Sequence, residues 1–252
     1  MRLALLQADP GQAEPLRCAL ENAGHRVHFF EDHRDLLRDA SRESFDLFLV
    51  EWNTTGVKGT RLLTRLRSLP GGDSSVIFIN CSDSEEELVE ALSSGADDFI
   101  GSAVRCRELV ARVGAVLRRR LPAHFGRGAL PDTDPYHFDL VAKCVHVAGV
   151  PVVMTDKEFE LSLFLFRNLG RVISRGHLLE SVWGSSLSNA SRTVDTHISR
   201  IRRKLGLRPE VGFRLSAAYG SGYRLDRVGV DWQASSSRPV GCMLDEKAGI
   251  AA

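Results

Sequence analysis

The 252-residue chain carries 33 Lys and Arg against 32 Asp and Glu, a formal charge of +1, and 43% of its residues are apolar. That length allows one or two domains with substantial cores, and the ordinary composition excludes disordered, collagenous and disulfide-stapled classes. The balance conceals a split: residues 1–120 hold 16 basic and 19 acidic side chains and residues 121–227 hold 15 and 10, which points an anionic partner such as nucleic acid to the second half.

Cys18, Cys81, Cys106, Cys144 and Cys242 are scattered, odd in number and lack a Cys-x-x-Cys pair, so they read as reduced thiols rather than a disulfide framework or zinc site. No metal and no cofactor is expected. No apolar run reaches the roughly 18 residues of a membrane span, and the start MRLALLQADPG lacks a signal-peptide pattern. The expectation is a cytoplasmic protein with no membrane partner.

Over residues 1–120, short apolar runs alternate with longer helical patterns: Leu3 to Leu6, Val27 to Phe30, Leu47 to Val50, Val76 to Ile79 and Phe99-Ile100. Near-continuous apolar strands separated by helices imply a parallel sheet covered on both faces. Five such units make a flavodoxin-like (βα)5 fold, whose site lies at the carboxyl ends of the strands. Asp9 precedes Pro10, the pattern of a helix cap followed by Pro in the first turn.

The segments FDLFLVEWNTTGVKG, GADDFI at 95–100 and ELVARVGAVLRRR at 108–120 resemble the receiver domain of two-component response regulators. The resemblance implies a phosphoryl-accepting Asp after the third strand, a Mg²⁺-holding acidic pair after the first, and Thr or Ser and Lys after the fourth and fifth. This chain has Glu51 at the acceptor position, Gln7 and Ala8 at the acidic pair with Asp9 beside them, Asn80 at the hydroxyl and Ser102 at the lysine. A Mg²⁺ site asks for hard, preferably anionic oxygens, so the expectation is an atypical receiver, or pseudo-receiver. Glu51 is either a partial imitation of a charged phospho-aspartate or an incidental replacement. Cys81 reads as a small hydrophobe beside the former switch position.

The resemblance also implies a dimer face on the fourth helix, fifth strand and fifth helix. Its matching charge pairs are Glu86 with Arg119 and Asp98 with Arg112, whereas Leu88 stands opposite Glu108. The expectation is a two-fold homodimer formed without phosphorylation, with a cognate histidine kinase uncertain or absent.

Residues 121–134, LPAHFGRGALPDTD, read as a flexible linker. Over 135–227, strand-like YHFDL, CVHVAG and VPVVM precede the capping box Thr155-Asp156-Lys157-Glu158, which opens a helix that Gly170 closes. Phe159, Leu163 and Phe166 form its inward stripe, widened by Leu161, Phe164 and Leu165. Ser174 caps a second helix, RGHLLESVWG. In the third, SRTVDTHISRIRRKLG, Val194, Ile198, Ile201 and Leu205 fall within about 60° of one another and face inward. Arg192, Thr196, Ser199, Arg200 and Arg203 project outward, flanked by Thr193 and Lys204. Cations neutralise phosphates, and short hydrogen-bonding side chains and a bidentate Arg reach base edges in the major groove. FRLSAAYGSGYRL then reads as a β-hairpin wing, and residues 228–252 as a disordered tail.

Three helices, the third basic, followed by a hairpin make an α+β winged helix-turn-helix domain. MTDKEFELSLFL, GRVISRGHLLESVWG, SRTVDTHISRIRRKLG and YGSGYRL closely resemble the effector domain of the OmpR/PhoB family of transcription regulators. The resemblance implies base contacts by Thr193, Thr196 and Arg200, and backbone contacts by Trp183, Arg192, His197 and Arg202; Arg203 adds general electrostatics. In the wing, Tyr219 replaces a minor-groove Arg, and Arg224 faces phosphate or solvent. The whole chain therefore reads as a DNA-binding regulator and not an enzyme, with promoter DNA and RNA polymerase as partners. Two rivals stay open: a phosphorylation-controlled regulator using an unusual acceptor such as Asp9 or Asp46, and an adaptor acting mainly through protein–protein contact.

Overall fold

The computed structural model describes residues 1–54, 56–69, 72–81, 84–101, 104–120, 133–184 and 191–228, leaving aside the side chains of Arg120 and Ser191. The predicted linker therefore falls mostly, and the tail almost wholly, outside the described residues, as do Ser102 and Cys242.

In the first half the elements are β1 (Arg2–Leu6), α1 (Pro10–Asn22), β2 (Arg26–Phe30), α2 (His33–Ala40), β3 (Leu47–Glu51), β4 (Asn53–Thr54), β5 (Val57–Lys58), α3 (Gly59–Arg67), β6 (Ser75–Cys81), α4 (Glu85–Ser93), β7 (Asp98–Gly101) and α5 (Cys106–Arg120). Five strands form a parallel sheet in the order β2-β1-β3-β6-β7. Side chains alternate across it: Ala4, Leu6, Phe48, Val50, Val76 and Phe78 join one core, and Leu3, Leu5, Leu47, Leu49, Ile77 and Ile79 the other. Both faces are covered, which is why each strand reads as a continuous apolar run. The small β4–β5 hairpin is too short to leave a periodic signal. Asp9 caps α1 as expected, accepting from the Gly11 amide at 2.8 Å with Pro10 in the first turn.

The second half contains β8 (Tyr136–Asp139), β9 (Cys144–Val147), β10 (Val150–Val152), α6 (Asp156–Arg167), β11 (Val172–Ile173), α7 (Arg175–Trp183), α8 (Ser191–Leu205), β12 (Phe213–Ala218) and β13 (Gly222–Arg227). Antiparallel sheets β10-β9-β8 and β11-β13-β12 flank the three helices. The capping box at Thr155 and Glu158 forms in both directions, and Lys204 Nζ donates a further hydrogen bond to Glu158 at 2.7 Å. The inward stripe of α6 differs from the expectation. Phe159, Leu161, Leu165 and Phe166 are buried, whereas Leu163 and Phe164 are only partly so. The small Ser162, wholly buried, lies within the stripe because its hydroxyl donates to Glu158 O and is satisfied inside the helix.

The halves meet along an ionic seam at the amino-terminal edge of the receiver sheet. Asp46, 4% exposed at the entry to β3, accepts from the Arg2 backbone amide at 2.8 Å and from Arg171 at 3.2 Å, and His177 Nε2 of α7 lies 3.4 Å away. Arg2 also reaches Glu43 (2.7 Å) and Glu180 of α7 (3.1 Å), which Arg26 and His28 flank. Ser44 Oγ is 2.9 Å from His177 Nδ1 and accepts from the Ser174 amide.

Burial alone would raise the Asp46 carboxyl, but the hydrogen bond and charge of His177, with Arg171 and the Arg2 amide, outweigh it and hold the group well below the usual carboxylate range. Glu180 is likewise pushed up by burial, yet the His28 hydrogen bond and the charges of Arg2, His28 and Arg26 bring it to about 2. A carboxylate with a depressed pKa contributes its stabilisation above its free pKa and loses it as protons bind. Acidification from the free carboxylate range, about pH 4.5, towards pH 2 should therefore loosen the seam, read as an increased radius of gyration in small-angle scattering. An unchanged radius while both halves stay folded would contradict this.

Candidate nucleic-acid interface

The third helix of the winged domain carries the outward cations. On α8, Val194, Ile198, Ile201 and Leu205 are buried in the core, at spacings of four, three and four. Arg192, Thr196, Ser199, Arg200 and Arg203 are exposed on the other side, so the amphipathic reading of this helix matches its burial. Thr193, His197 and Lys204 are half-buried at the margins.

Several side chains make contacts the sequence pattern did not reveal. Thr196 Oγ1 donates to Arg192 O at 2.9 Å. His197 Nδ1 lies 2.8 Å from Thr193 O, and its ring meets Trp183 edge-on at 5.0 Å, which ties the end of α7 to α8. Arg202 donates twice to Leu215 O, from Nε at 3.0 Å and Nη2 at 2.7 Å, and so staples α8 to β12.

Asp195 stands among basic neighbours because it has internal donors. Its Oδ1 accepts from Arg175 Nε at 2.9 Å and from the Tyr223 hydroxyl at 2.7 Å, while the Arg175 guanidinium lies over the Tyr223 ring. Burial would raise the Asp195 carboxyl, but these two hydrogen bonds and the Arg175 charge lower it overall. The triad joins α7, α8 and β13, fixing the helix against the wing. At the wing, Tyr219 is fully exposed, at 104% relative accessibility, between β12 and β13. Tyr223 is buried and Arg224 Nε donates to Asp226 at 2.9 Å.

The carboxyl edge of the receiver sheet gathers Gln7, Glu51 and Asn80, with Ala8 beside them. Glu51 accepts from Gln7 Nε2 (2.9 Å), the Ala8 amide (3.1 Å) and Asn80 Nδ2 (3.3 Å), and Thr54 Oγ1 lies 3.4 Å from it. Asn80 holds a left-handed φ of 54°, a conformation that Asn tolerates better than most residues. Ser102 lies outside the described residues. Cys81 is buried, and desolvation pushes its thiol up to about 12, as suits a small hydrophobe. Asp46 lies at the opposite edge, in the seam, and Asp9 serves its helix cap.

On the α4, β7 and α5 face, Glu86 and Arg119 are exposed and Leu88 is half-buried. Arg112 closes its ion pairs within the chain, to Asp98 at 3.2 Å and Glu108 at 2.8 Å. Val89 and Leu92 are 55% and 48% exposed on α4. No described helix is long and apolar enough to cross a membrane.

The family model for the response regulator receiver domain matches residues 4–114, and that for the C-terminal part of transcriptional regulatory proteins matches residues 149–225. The chain belongs to the OmpR/PhoB family of response regulators. It is 32% identical to the sensory transduction protein RegX3 of Mycolicibacterium smegmatis, over 88% of this chain and 97% of that one. The phosphate regulon regulator PhoB of Pseudomonas aeruginosa is 34% identical over 84% of this chain and 91% of its own. The solved response regulator DrrB of Thermotoga maritima is similar at 26% identity, covering 90% and 99% of the two chains with a TM-score of 0.43. The fold expectation of a flavodoxin-like receiver followed by a winged helix is met, and the protein is a DNA-binding response regulator of the OmpR/PhoB type.

Arg202→Ala removes two hydrogen bonds from a charged donor and leaves the Leu215 carbonyl unmatched. The expected loss is about 1.5–3 kcal/mol, measured by urea unfolding, with faster amide exchange in β12 and β13. Unchanged stability and exchange would show that the staple holds nothing.

Proposed function

We propose that this protein is an atypical response regulator of the cytoplasm whose receiver dimerises without a phosphoryl signal and places two winged helices on promoter DNA. The observation that carries the reading is the state of Glu51. Its two carboxylate oxygens are taken by N–H donors from the positions where the family resemblance implies metal-binding acids and a hydroxyl. The residues present do not fit a Mg²⁺ ion: of Gln7, Glu51 and Asn80 only one is anionic, and a hard dication demands several unengaged oxygens. The rival acceptors have other work, Asp9 in a cap and Asp46 in a buried ion pair.

The exposed Glu86 and Arg119, with Val89 and Leu92 between α4 and solvent, support α4, β7 and α5 as the homodimer face. Asp98, Glu108 and Arg112 border it, their charges already satisfied inside one chain. Leu88 adds apolar area beside them.

On DNA, Thr193, Thr196 and Arg200 approach bases, while Trp183, Arg192, His197 and Arg203 approach the backbone. Arg202 supports the same surface by holding the wing strand, and Arg224 stands beside Tyr219 at the wing. A neutral Tyr at the wing tip gives less A/T preference than an Arg in the narrow minor groove. RNA polymerase is the partner downstream, and no histidine kinase is required.

Two measurements test this reading. Incubation with a small phosphoryl donor and Mg²⁺ should leave the intact mass and the sedimentation coefficient unchanged, whereas Arg119→Glu should yield monomers. Mass gain coupled to dimerisation would restore phosphorylation control. Separately, Arg200→Ala should cost roughly 1–3 kcal/mol of specific binding and relax preference at one base, read by selection from a randomised duplex library. Unaltered base preference would overturn the placement of α8.

A further inference from the structure

The outward face of β8 and β9 carries side chains that DNA binding leaves without a role. Tyr136, Phe138 and Val145 turn into the core and Val147 packs against it, so the alternate residues of both strands share the other face. There His137 stands directly opposite His146, and Asp139 directly opposite Cys144. His137 is exposed, and His146, Asp139 and Cys144 are half-buried. Imidazole is the side chain that borderline divalent metals such as Zn²⁺ and Ni²⁺ take most readily, and a neighbouring carboxylate favours the cation.

The rings of His137 and His146 lie 6.4 Å apart between centroids, at 50° to one another. Two imidazoles on one tetrahedral Zn²⁺, at bonds of about 2.0–2.1 Å, stand with centroids roughly 5 Å apart, a difference that modest side-chain rotation closes. His146 Nδ1 is shielded from solvent and has no hydrogen-bond partner, and Pro151, opposite it on β10, brings no polar side chain. No hydrogen bond at that nitrogen holds the ring in one tautomer, so it is free to present a lone pair to a cation. Asp139 Oδ1 accepts from the Val141 and Ala142 amides at 2.9 Å each, which fixes the carboxylate beside the pair. Cys144 Sγ turns instead towards Val145 O, at 3.8 Å. Among the described residues no three such donors already converge, so the pair is a two-ligand site whose other positions fall to water.

We propose that His137 and His146 form a surface chelate for a borderline divalent transition-metal ion, with Asp139 as its anionic neighbour, and that the bound ion clamps β8 to β9. The site is independent of base recognition, of the dimer face and of phosphoryl chemistry. A cross-strand pair that only packs ring on ring predicts no such affinity.

The test uses the full chain, stripped of metal with a chelator, dialysed free of it and kept reduced with a phosphine. Ni²⁺ is the probe, because it takes imidazole and does not oxidise thiols. Isothermal titration should show a saturable site that His137→Gln and His146→Gln each weaken about tenfold or more, the scale on which even the outer partners of metal ligands act. Cys144→Ser, which removes the neighbouring thiol, and His25→Gln, on the receiver, should leave the affinity unchanged. By mass action Ni²⁺ should also raise the unfolding midpoint of the unmodified chain, and not that of either variant at His137 or His146. Should a variant fail to fold, the unmodified chain decides: paramagnetic Ni²⁺ should broaden the ring resonances of His137 and His146 before those of any other histidine. No saturable binding, full affinity in either variant, loss of binding in Cys144→Ser, or broadening centred on other histidines would each overturn the proposal.

Discussion

A carboxylate buried as deeply as Asp46 is tolerable only when its charge is matched on every side, and that requirement shapes the junction of the two domains. Neither half supplies the partners alone. The Arg2 amide comes from β1 of the receiver, and Arg171 and His177 come from the winged domain, so the ion is satisfied only when the halves are docked. Removing one partner leaves a costly buried charge, which makes the contact specific in position. Around it, Arg2 serves Glu43 and Glu180 together, linking one more residue from each half.

The opposite edge of the same sheet follows a contrasting logic. There Glu51 accepts hydrogen bonds from neutral amide donors, with no cation among the residues that bond it. The receiver sheet thus carries a closed hydrogen-bond network at one edge and the ionic contacts to the winged domain at the other.

Within the winged domain, polar contacts set the geometry that the apolar core leaves loose. The core holds α8 by one stripe, which permits rotation and sliding. Arg202 on Leu215 O and Asp195 between Arg175 and Tyr223 remove that freedom by tying α8 to β12, β13 and α7. The exposed cations are thereby presented from a fixed platform, while Tyr219 projects at the wing tip without such ties from its own side chain among the described residues.

Much of this was legible in the chain. Apolar runs in the receiver announced a sheet covered on both faces, and the Thr155 capping box, the Ser174 cap and the Asp9-Pro10 start each form as read, because such signals act within one helical turn. The split of α8 into core and cationic sides follows from periodicity and matched its burial. The stripe of α6 was read less well, since periodicity does not say which of Phe159, Leu163, Phe164 and Phe166 meets the most neighbours. A lone acid in a basic helix could have signalled that Asp195 has an internal partner, but nothing local named Arg175 or Tyr223. Sequence by itself determined the elements, their caps and the chemistry displayed on α8, because those depend on neighbours three or four positions away. Only the tertiary structure decided that Arg202 serves the wing, that Glu51 turns to Gln7 and Asn80, and that Asp46 meets His177 across the domain boundary. Those pairings join residues far apart in the chain, and their energies depend on burial and distance, quantities that exist only once the fold has formed.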